Sequence, residues 1–204
     1  MKILVSLSVA GLLLLASCGG KGKDAASMSY SQEDANEVIA YYNITVDLMK
    51  KLVATDDISK TLAYMKKDGK GFVIAPIVNR SYFQAKDTTA LLNPGNCFPD
   101  AVRDSLKALC LAYVDASNKV YANYEEYCQY IKAEDYKDDK YAKGREIAAD
   151  QEEQGNRIQE LRTQIYALVT PYADKAEEAT LKDNPLKDHI MAGKALISSL
   201  EAVL

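Results

Sequence analysis

Several residue types that build catalytic and metal sites are scarce in this sequence. Tryptophan is absent and histidine occurs once in the 204 residues, which excludes zinc and non-haem iron sites that need two imidazole ligands. The 25 basic and 29 acidic residues give a net charge of −4, and the basic residues are scattered, so no nucleic-acid-binding surface is predicted. Five prolines and ten glycines beside 48% apolar residues argue against long disordered segments.

The N-terminal residues predict a signal peptide for secretion. Lys2 is followed by an apolar run over residues 3–16, which is shorter than the roughly 20 residues that cross a membrane and is typical of a signal peptide. The sequence Leu15-Ala16-Ser17-Cys18 resembles a bacterial lipobox, in which the cysteine becomes the lipidated first residue of the mature chain. We therefore expect a protein of the bacterial cell envelope that is attached to a membrane through a lipid on Cys18.

Three regions follow from this interpretation. Residues 1–17 are the lipoprotein signal peptide, residues 18–30 are the lipidated cysteine and a flexible tether, and residues 31–204 are a helical domain. The tether is predicted because its residues are mostly small and polar. By the same resemblance, Gly19 after the cysteine indicates the outer membrane rather than the inner membrane of a two-membrane cell.

Apolar residues recur at three- and four-residue spacing through most of the remaining chain, which is typical of amphipathic helices. The clearest pattern covers residues 99–132, where the spacing is close to the 3.5-residue repeat of a coiled coil. Residues 139–182 form its partner, with a kink or break expected near Thr170 because Pro171 cannot donate a helical hydrogen bond. The sequence predicts an all-α fold: an elongated antiparallel helical bundle built on a long helical hairpin, with one long irregular segment over residues 68–98.

The hairpin interpretation also makes a prediction about packing. A turn centred near Tyr136 places Ser117 opposite Gly155. Because glycine costs about 1 kcal/mol in a helix interior, we interpret Gly155 as a close crossing point. A frayed or solvated segment is the alternative, since residues 150–157 are polar.

No pattern in the sequence predicts catalysis, a metal site or a cofactor. His189 has no companion nucleophile signature, and the paired acids are typical of solvated helix faces and first helical turns. The acidic turn over residues 134–139 lacks the spacing and central glycine of a calcium-binding loop. Cys110 and Cys128 fall on one predicted helix about 27 Å apart, too far for a disulfide, so we expect both to be reduced.

Tyrosine is unusually frequent in this sequence, which contains 14 tyrosines and three phenylalanines. Most are interpreted as packing residues between helices whose hydroxyls reach water. Three do not fit the apolar seam and are predicted to be exposed contacts for a protein partner, because tyrosine is favoured in binding surfaces. These candidate partner contacts are Tyr121, Tyr130 and Tyr136.

The stretch over residues 136–145, Tyr-Lys-Asp-Asp-Lys-Tyr-Ala-Lys-Gly-Arg, together with Tyr41-Tyr42-Asn43 upstream, resembles a family of bacterial lipoproteins typified by YiiG. The resemblance covers residues 36–200 and implies a helical body. It implies no activity and no catalytic residues, because that family has no established function.

Two functional interpretations remain. The first is a membrane-anchored, non-catalytic binding or structural module of the cell envelope. The alternative is a small-ligand-binding or enzymatic lipoprotein whose pocket lies between residues 68–98 and the bundle. The ligand of such a pocket is not indicated by the sequence.

The lipobox interpretation gives a direct prediction. Cys18 should be acylated and residues 1–17 absent from the protein extracted from membranes, because the lipobox and the polar tether have no other joint explanation. The intact mass should therefore carry a diacyl or triacyl increment on a chain that begins at Cys18. A mature chain that begins elsewhere, or that leaves the membrane without detergent, would contradict this prediction.

Overall fold

The computed structural model describes residues 25–67, 74–78 and 85–201. In these ranges the chain forms one short 3₁₀ turn and seven α-helices but no β-strand, so the predicted all-α fold is confirmed. The 3₁₀ turn is Ala25–Ser27, and the helices are α1 (Gln32–Leu52), α2 (Thr55–Met65), α3 (Ala85–Leu92), α4 (Asp100–Ala133), α5 (Tyr136–Asp139), α6 (Ala142–Thr180) and α7 (Lys187–Glu201).

The long antiparallel hairpin of α4 and α6 is the framework of the molecule, as predicted. The 34 residues of α4 and the 39 residues of α6 make helices roughly 50 and 60 Å long. The register agrees with a turn near Tyr136, since the Asn123 amide donates to Asp150 across the pair at 2.9 Å. Helix α1 lies along α6, and α2 packs against both α6 and α4.

One helix start has a clear local sequence signal, and one proline lies inside a helix. Ser31 caps α1 by accepting a hydrogen bond from the Asp34 backbone N–H at 3.1 Å, and serine is among the residues preferred at this position. Of the expected kink or break near Thr170, a break does not occur, because α6 continues through Pro171. Pro171 and Ala167 are both exposed, so the carbonyl that loses its helical partner faces water.

Two segments are more ordered than the sequence indicates. The predicted irregular segment contains α3, an eight-residue helix that packs against α1 and α4. The predicted flexible tether is wrong for residues 25–30, because Ala25, Met28 and Tyr30 pack against the apolar cluster between α1 and α6. Residues 1–24, which include the predicted signal peptide and Cys18, lie outside the described ranges. No helix in those ranges is both long and apolar enough to cross a bilayer.

Tyrosine hydroxyls connect the helices to one another. Tyr41 donates to the Leu91 carbonyl at 2.9 Å, Tyr113 to the Met49 carbonyl at 2.7 Å, and Tyr127 to the Met65 carbonyl at 3.0 Å. Each acceptor lies in the last turn of its helix: Leu91 in α3, Met49 in α1 and Met65 in α2. The last four carbonyls of a helix have no partner within that helix. The tyrosines therefore satisfy buried backbone acceptors and fix where three helices end.

Arg162 of α6 reinforces one of these connections. Its guanidinium donates to the Tyr113 hydroxyl at 2.9 Å and to Thr55 at 3.2 Å, at the start of α2. Burial raises the pKa of Tyr113, and the hydrogen bond from Arg162 partly opposes that rise. The hydroxyl therefore stays protonated at neutral pH and can donate to Met49.

Gly155 is a close crossing point, but its partner differs from the predicted one. A Cβ atom built on Gly155 would lie 2.8 Å from Cγ2 of Ile58 in α2, and Ser117 is not within 4 Å of it. The difference arises because α2 crosses the hairpin at this level. Glycine therefore allows α2, rather than α4, to approach α6.

We expect Gly155→Ala to destabilise the fold by roughly 1 kcal/mol in urea unfolding. Alanine gains about 1 kcal/mol in helix propensity, but crowding a packed contact typically costs 1–3 kcal/mol. In an Ile58→Ala background the same change should become stabilising, because the blocking methyl group is gone. Gly193→Ala is the matched control, since no other atom lies near its Cβ position. Equal effects at positions 155 and 193 would contradict the crossing.

We expect Tyr127→Phe to lower the unfolding free energy by roughly 1–2 kcal/mol. The change removes the hydroxyl that donates to the Met65 carbonyl while the ring contacts remain. Tyr166→Phe is the control, because the Tyr166 hydroxyl donates to no acceptor within the described residues. Urea denaturation of both variants measures the difference, and a Tyr127→Phe protein as stable as the control would show that the hydroxyl contributes nothing.

Candidate functional site

Two of the three tyrosines predicted to be exposed are buried, so that prediction is wrong for Tyr121 and Tyr130. Their exposed fractions are 4% and 3%. Helix α4 contacts α6 on one side and α2 and α3 on another, so its buried face is wider than a coiled-coil seam. Tyr121 belongs to the main core cluster, and Tyr130 packs over Gly144. Neither residue offers a surface to a partner.

Tyr136 is the predicted contact residue that keeps part of its surface exposed. It is half-buried and stacks on Tyr141, with ring centroids 4.8 Å apart and an interplanar angle of 17°. The turn around it is held by Asp139, which accepts from the Tyr130 hydroxyl at 2.6 Å and from the Lys143 backbone N–H at 3.0 Å. The hydrogen bond from Tyr130 lowers the pKa of Asp139. The acidic turn is therefore a helix-capping turn, and a partner role for Tyr136 stays a prediction.

The groups with nucleophilic or metal-binding chemistry do not converge in the described part of the chain. Cys97, Cys110 and Cys128 are free thiols, and burial raises the pKa of Cys97 and Cys110 to about 11. Cys110 is fully buried beside the Tyr41 hydroxyl, whereas Cys128 is only half-buried. His189 is exposed on α7. Within residues 25–67, 74–78 and 85–201, no group of three or more metal-ligating side chains occurs.

An exposed apolar strap, residues 74–78, is the first surface with the character of a binding site. Ile74 is 77% exposed and Ile77 is 87% exposed. The backbone between them is nevertheless held, because the Tyr124 hydroxyl of α4 donates to the Pro76 carbonyl at 2.5 Å. Val78 packs inward against the core clusters. The strap therefore presents two isoleucines to solvent on a fixed backbone.

A polar groove at the opposite end of the hairpin is the second such surface. Its volume is about 320 Å³. Its walls come from separate parts of the chain: the segment Met28–Tyr30 on one side, the last turns of α6 on the other, and Lys187 of α7 at the edge. The lining side chains are Met28, Ser29, Tyr30, Lys175, Glu178, Ala179, Lys182 and Lys187.

The charges in the groove are unbalanced. Lys175 donates to Glu178 at 2.8 Å, and Lys187 lies 3.9 Å from the same carboxylate. The hydrogen bond from Lys175, with the charges of both lysines, lowers the pKa of Glu178, so this carboxylate is ionised at neutral pH. Lys182 forms no ion pair with another residue of the described ranges. One carboxylate thus faces three ammonium groups.

Sequence reasoning missed the groove, and it indicated the strap only as part of the irregular segment over residues 68–98. The groove unites residues near positions 29, 178 and 187, which no local spacing brings together. One signal was available, because Met28 and Tyr30 are apolar residues in a stretch that was interpreted as a polar tether. The exposure of Ile74 and Ile77 could not be predicted from the sequence, since it depends on where Tyr124 holds the backbone.

Solved structures similar to this chain come from Bacteroides. One is an alpha helical protein from Bacteroides fragilis NCTC 9343, with 29% identity and a TM-score of 0.69 over 86% of this chain and 67% of that one. A DUF3829 family protein from Bacteroides vulgatus ATCC 8482 has 28% identity and a TM-score of 0.62, over 74% of this chain and 98% of that one.

A DUF3829-like protein from Bacteroides thetaiotaomicron VPI-5482 has 27% identity and a TM-score of 0.62. The match covers 79% of this chain but 58% of that protein, so this chain spans little more than half of its length. No curated protein matches the sequence. The resemblance to the lipoproteins typified by YiiG stays a prediction.

A family model described as "Domain of unknown function (DUF6845)" matches residues 29–183. The matched range begins in the N-terminal segment that lines the groove, contains the whole α4–α6 hairpin, and ends just after α6. Because this match covers well over half of the 204 residues, the chain belongs to the DUF6845 family.

Proposed function

We propose that this protein is a lipid-anchored, non-catalytic binding module of the bacterial cell envelope, which contacts a protein partner through the strap over residues 74–78. The lipobox ending at Cys18 supports the anchor. The origin of the similar structures in Bacteroides supports a bacterial protein. The observation that carries the binding role is the exposure of Ile74 and Ile77 on a backbone held by Tyr124.

The energetics of the strap favour contact with a partner. Burying one isoleucine side chain stabilises a fold or a complex by about 1.5–3 kcal/mol. Ile74 and Ile77 would gain this stabilisation only on contact with a partner, because they face water in the free protein. Single exposed apolar residues are common on protein surfaces. Here, however, two bulky residues lie three positions apart beside a proline and a hydrogen-bonded carbonyl. A preorganised segment loses less conformational entropy on binding than a mobile one.

The geometry of the strap also bears on the alternative function, a ligand pocket between residues 68–98 and the bundle. In the described part of that segment, Ile74 and Ile77 face outward and the Pro76 carbonyl is occupied by Tyr124. A surface of this kind suits contact with another macromolecule, whereas a small-ligand site needs a concave, mostly apolar wall. We therefore favour the binding module over the enzyme or ligand carrier.

The rest of the fold suits a structural role beside the binding role. Three helix ends are connected by tyrosine hydroxyls to neighbouring helices, and the chain leading toward Cys18 packs on α6 from Ala25 onward. The strap is therefore held on a body whose attachment to its N-terminal segment is defined.

The double variant Ile74→Ser/Ile77→Ser tests the strap. Both side chains are exposed, so the unfolding free energy should change by less than about 0.5 kcal/mol. Partners cross-linked to the native protein in its own membranes should be lost, because interface anchors typically contribute more than 1 kcal/mol each.

The matched control is Leu111→Ser, which replaces an apolar residue that is 48% exposed on α4. This control should keep every cross-linked partner. If the double strap variant also keeps every partner, or if it unfolds several degrees earlier than the control, the strap is not the contact surface.

A further inference from the structure

The groove between the N-terminal segment and the end of α6 has a charge opposite to that of the whole protein. Three lysines and one glutamate line it, which gives a formal charge of +3 − 1 = +2, whereas the chain as a whole has a net charge of −4. A concave positive region raises the local concentration of small anions. The groove therefore selects for anionic ligands.

The arrangement of the lysines leaves positive charge available to a ligand. Glu178 is shared by Lys175 and Lys187, at 2.8 and 3.9 Å, so a single carboxylate balances two ammonium groups. Lys182 extends from the turn after α6 and has no ion-pair partner in the described ranges. The Ser29 hydroxyl on the opposite wall is exposed and can donate a hydrogen bond.

The volume and the lining residues of the groove restrict the class of ligand further. A volume of about 320 Å³ is at the lower end of the roughly 300–1,000 Å³ typical of small-molecule sites. Met28 and Ala179 provide a short apolar wall beside the charged groups. Lysine ammonium groups bind phosphate as point charges, without the fixed bidentate geometry of the arginine guanidinium group. This combination fits a phosphate group that carries a small organic substituent.

We propose that this groove binds a phosphate ester, with Lys182, Lys187 and Ser29 contacting the phosphate oxygens and Met28 contacting the organic part. The ester is either a free compound or the headgroup of a phospholipid. Ser29 is eleven positions after Cys18, so the groove can lie no more than about 36–40 Å of extended chain from the predicted lipid anchor. The site is separate from the strap and does not depend on the proposed partner contact.

Calorimetric titration of the full chain in one nonionic detergent tests this inference. Inorganic phosphate and glycerol 3-phosphate probe the free source, and short-chain dihexanoyl phosphatidylglycerol probes the headgroup source. Lys182→Glu should weaken binding about tenfold or more, because it replaces an attractive charge with a repulsive one. Glu178→Gln should tighten binding, since it releases Lys175 and Lys187 from the carboxylate that holds them.

The opposite signs of these two variants separate ligand binding from a general loss of structure. Lys132→Glu is the matched control, because Lys132 is an exposed lysine at the far end of α4 and should leave the affinity unchanged. Binding of glycerol 3-phosphate or dihexanoyl phosphatidylglycerol with this pattern supports the site, and whichever of these two esters binds identifies the source. The proposal is overturned if neither ester binds, whatever inorganic phosphate does, if Lys182→Glu has no effect, or if the Lys132→Glu control loses as much affinity.

Discussion

The fold depends on one kind of interaction, the hydrogen bond from a buried tyrosine hydroxyl to a carbonyl at the end of a neighbouring helix. Tyr41, Tyr113 and Tyr127 each make such a bond. A helix ending inside a core would leave its last carbonyls unpaired, and an unpaired buried acceptor costs roughly 1–3 kcal/mol. Tyrosine supplies the donor and a large apolar ring together, which suits it to these three positions.

These bonds determine what the surface can present. Tyr113 and Tyr127 of α4 hold the last turns of α1 and α2, and Tyr41 of α1 holds the last turn of α3, so the ends of these helices depend on contacts between helices as well as on local sequence. The Tyr124 hydroxyl donates the same kind of hydrogen bond to the Pro76 carbonyl and so holds the strap. At the other end of the hairpin, the N-terminal segment is held by apolar contact with α6, and the groove forms where the two meet.

The sequence-based expectations that failed share a physical cause. A heptad pattern describes a helix with one partner, whereas α4 packs against α6 and also against α2 and α3. Tyr121 and Tyr130 were therefore predicted to be exposed. In the structure both are buried, Tyr121 by a second neighbouring helix and Tyr130 by the turn after α4. In the same way, Gly155 was correctly interpreted as a close contact but was given the wrong partner, because α2 has no periodic signal that reveals its crossing point.

Local sequence alone determined the helical class, the hairpin with its register, and the cap at Ser31, because hydrophobic periodicity and capping are properties of neighbouring residues. It also indicated the lipobox, which is a contiguous motif. Only the tertiary structure decided which tyrosines are buried, that Ile74 and Ile77 face solvent, and that three lysines share one groove. Exposure and charge convergence depend on contacts between residues far apart in the chain, and one-dimensional spacing contains no information about those distances.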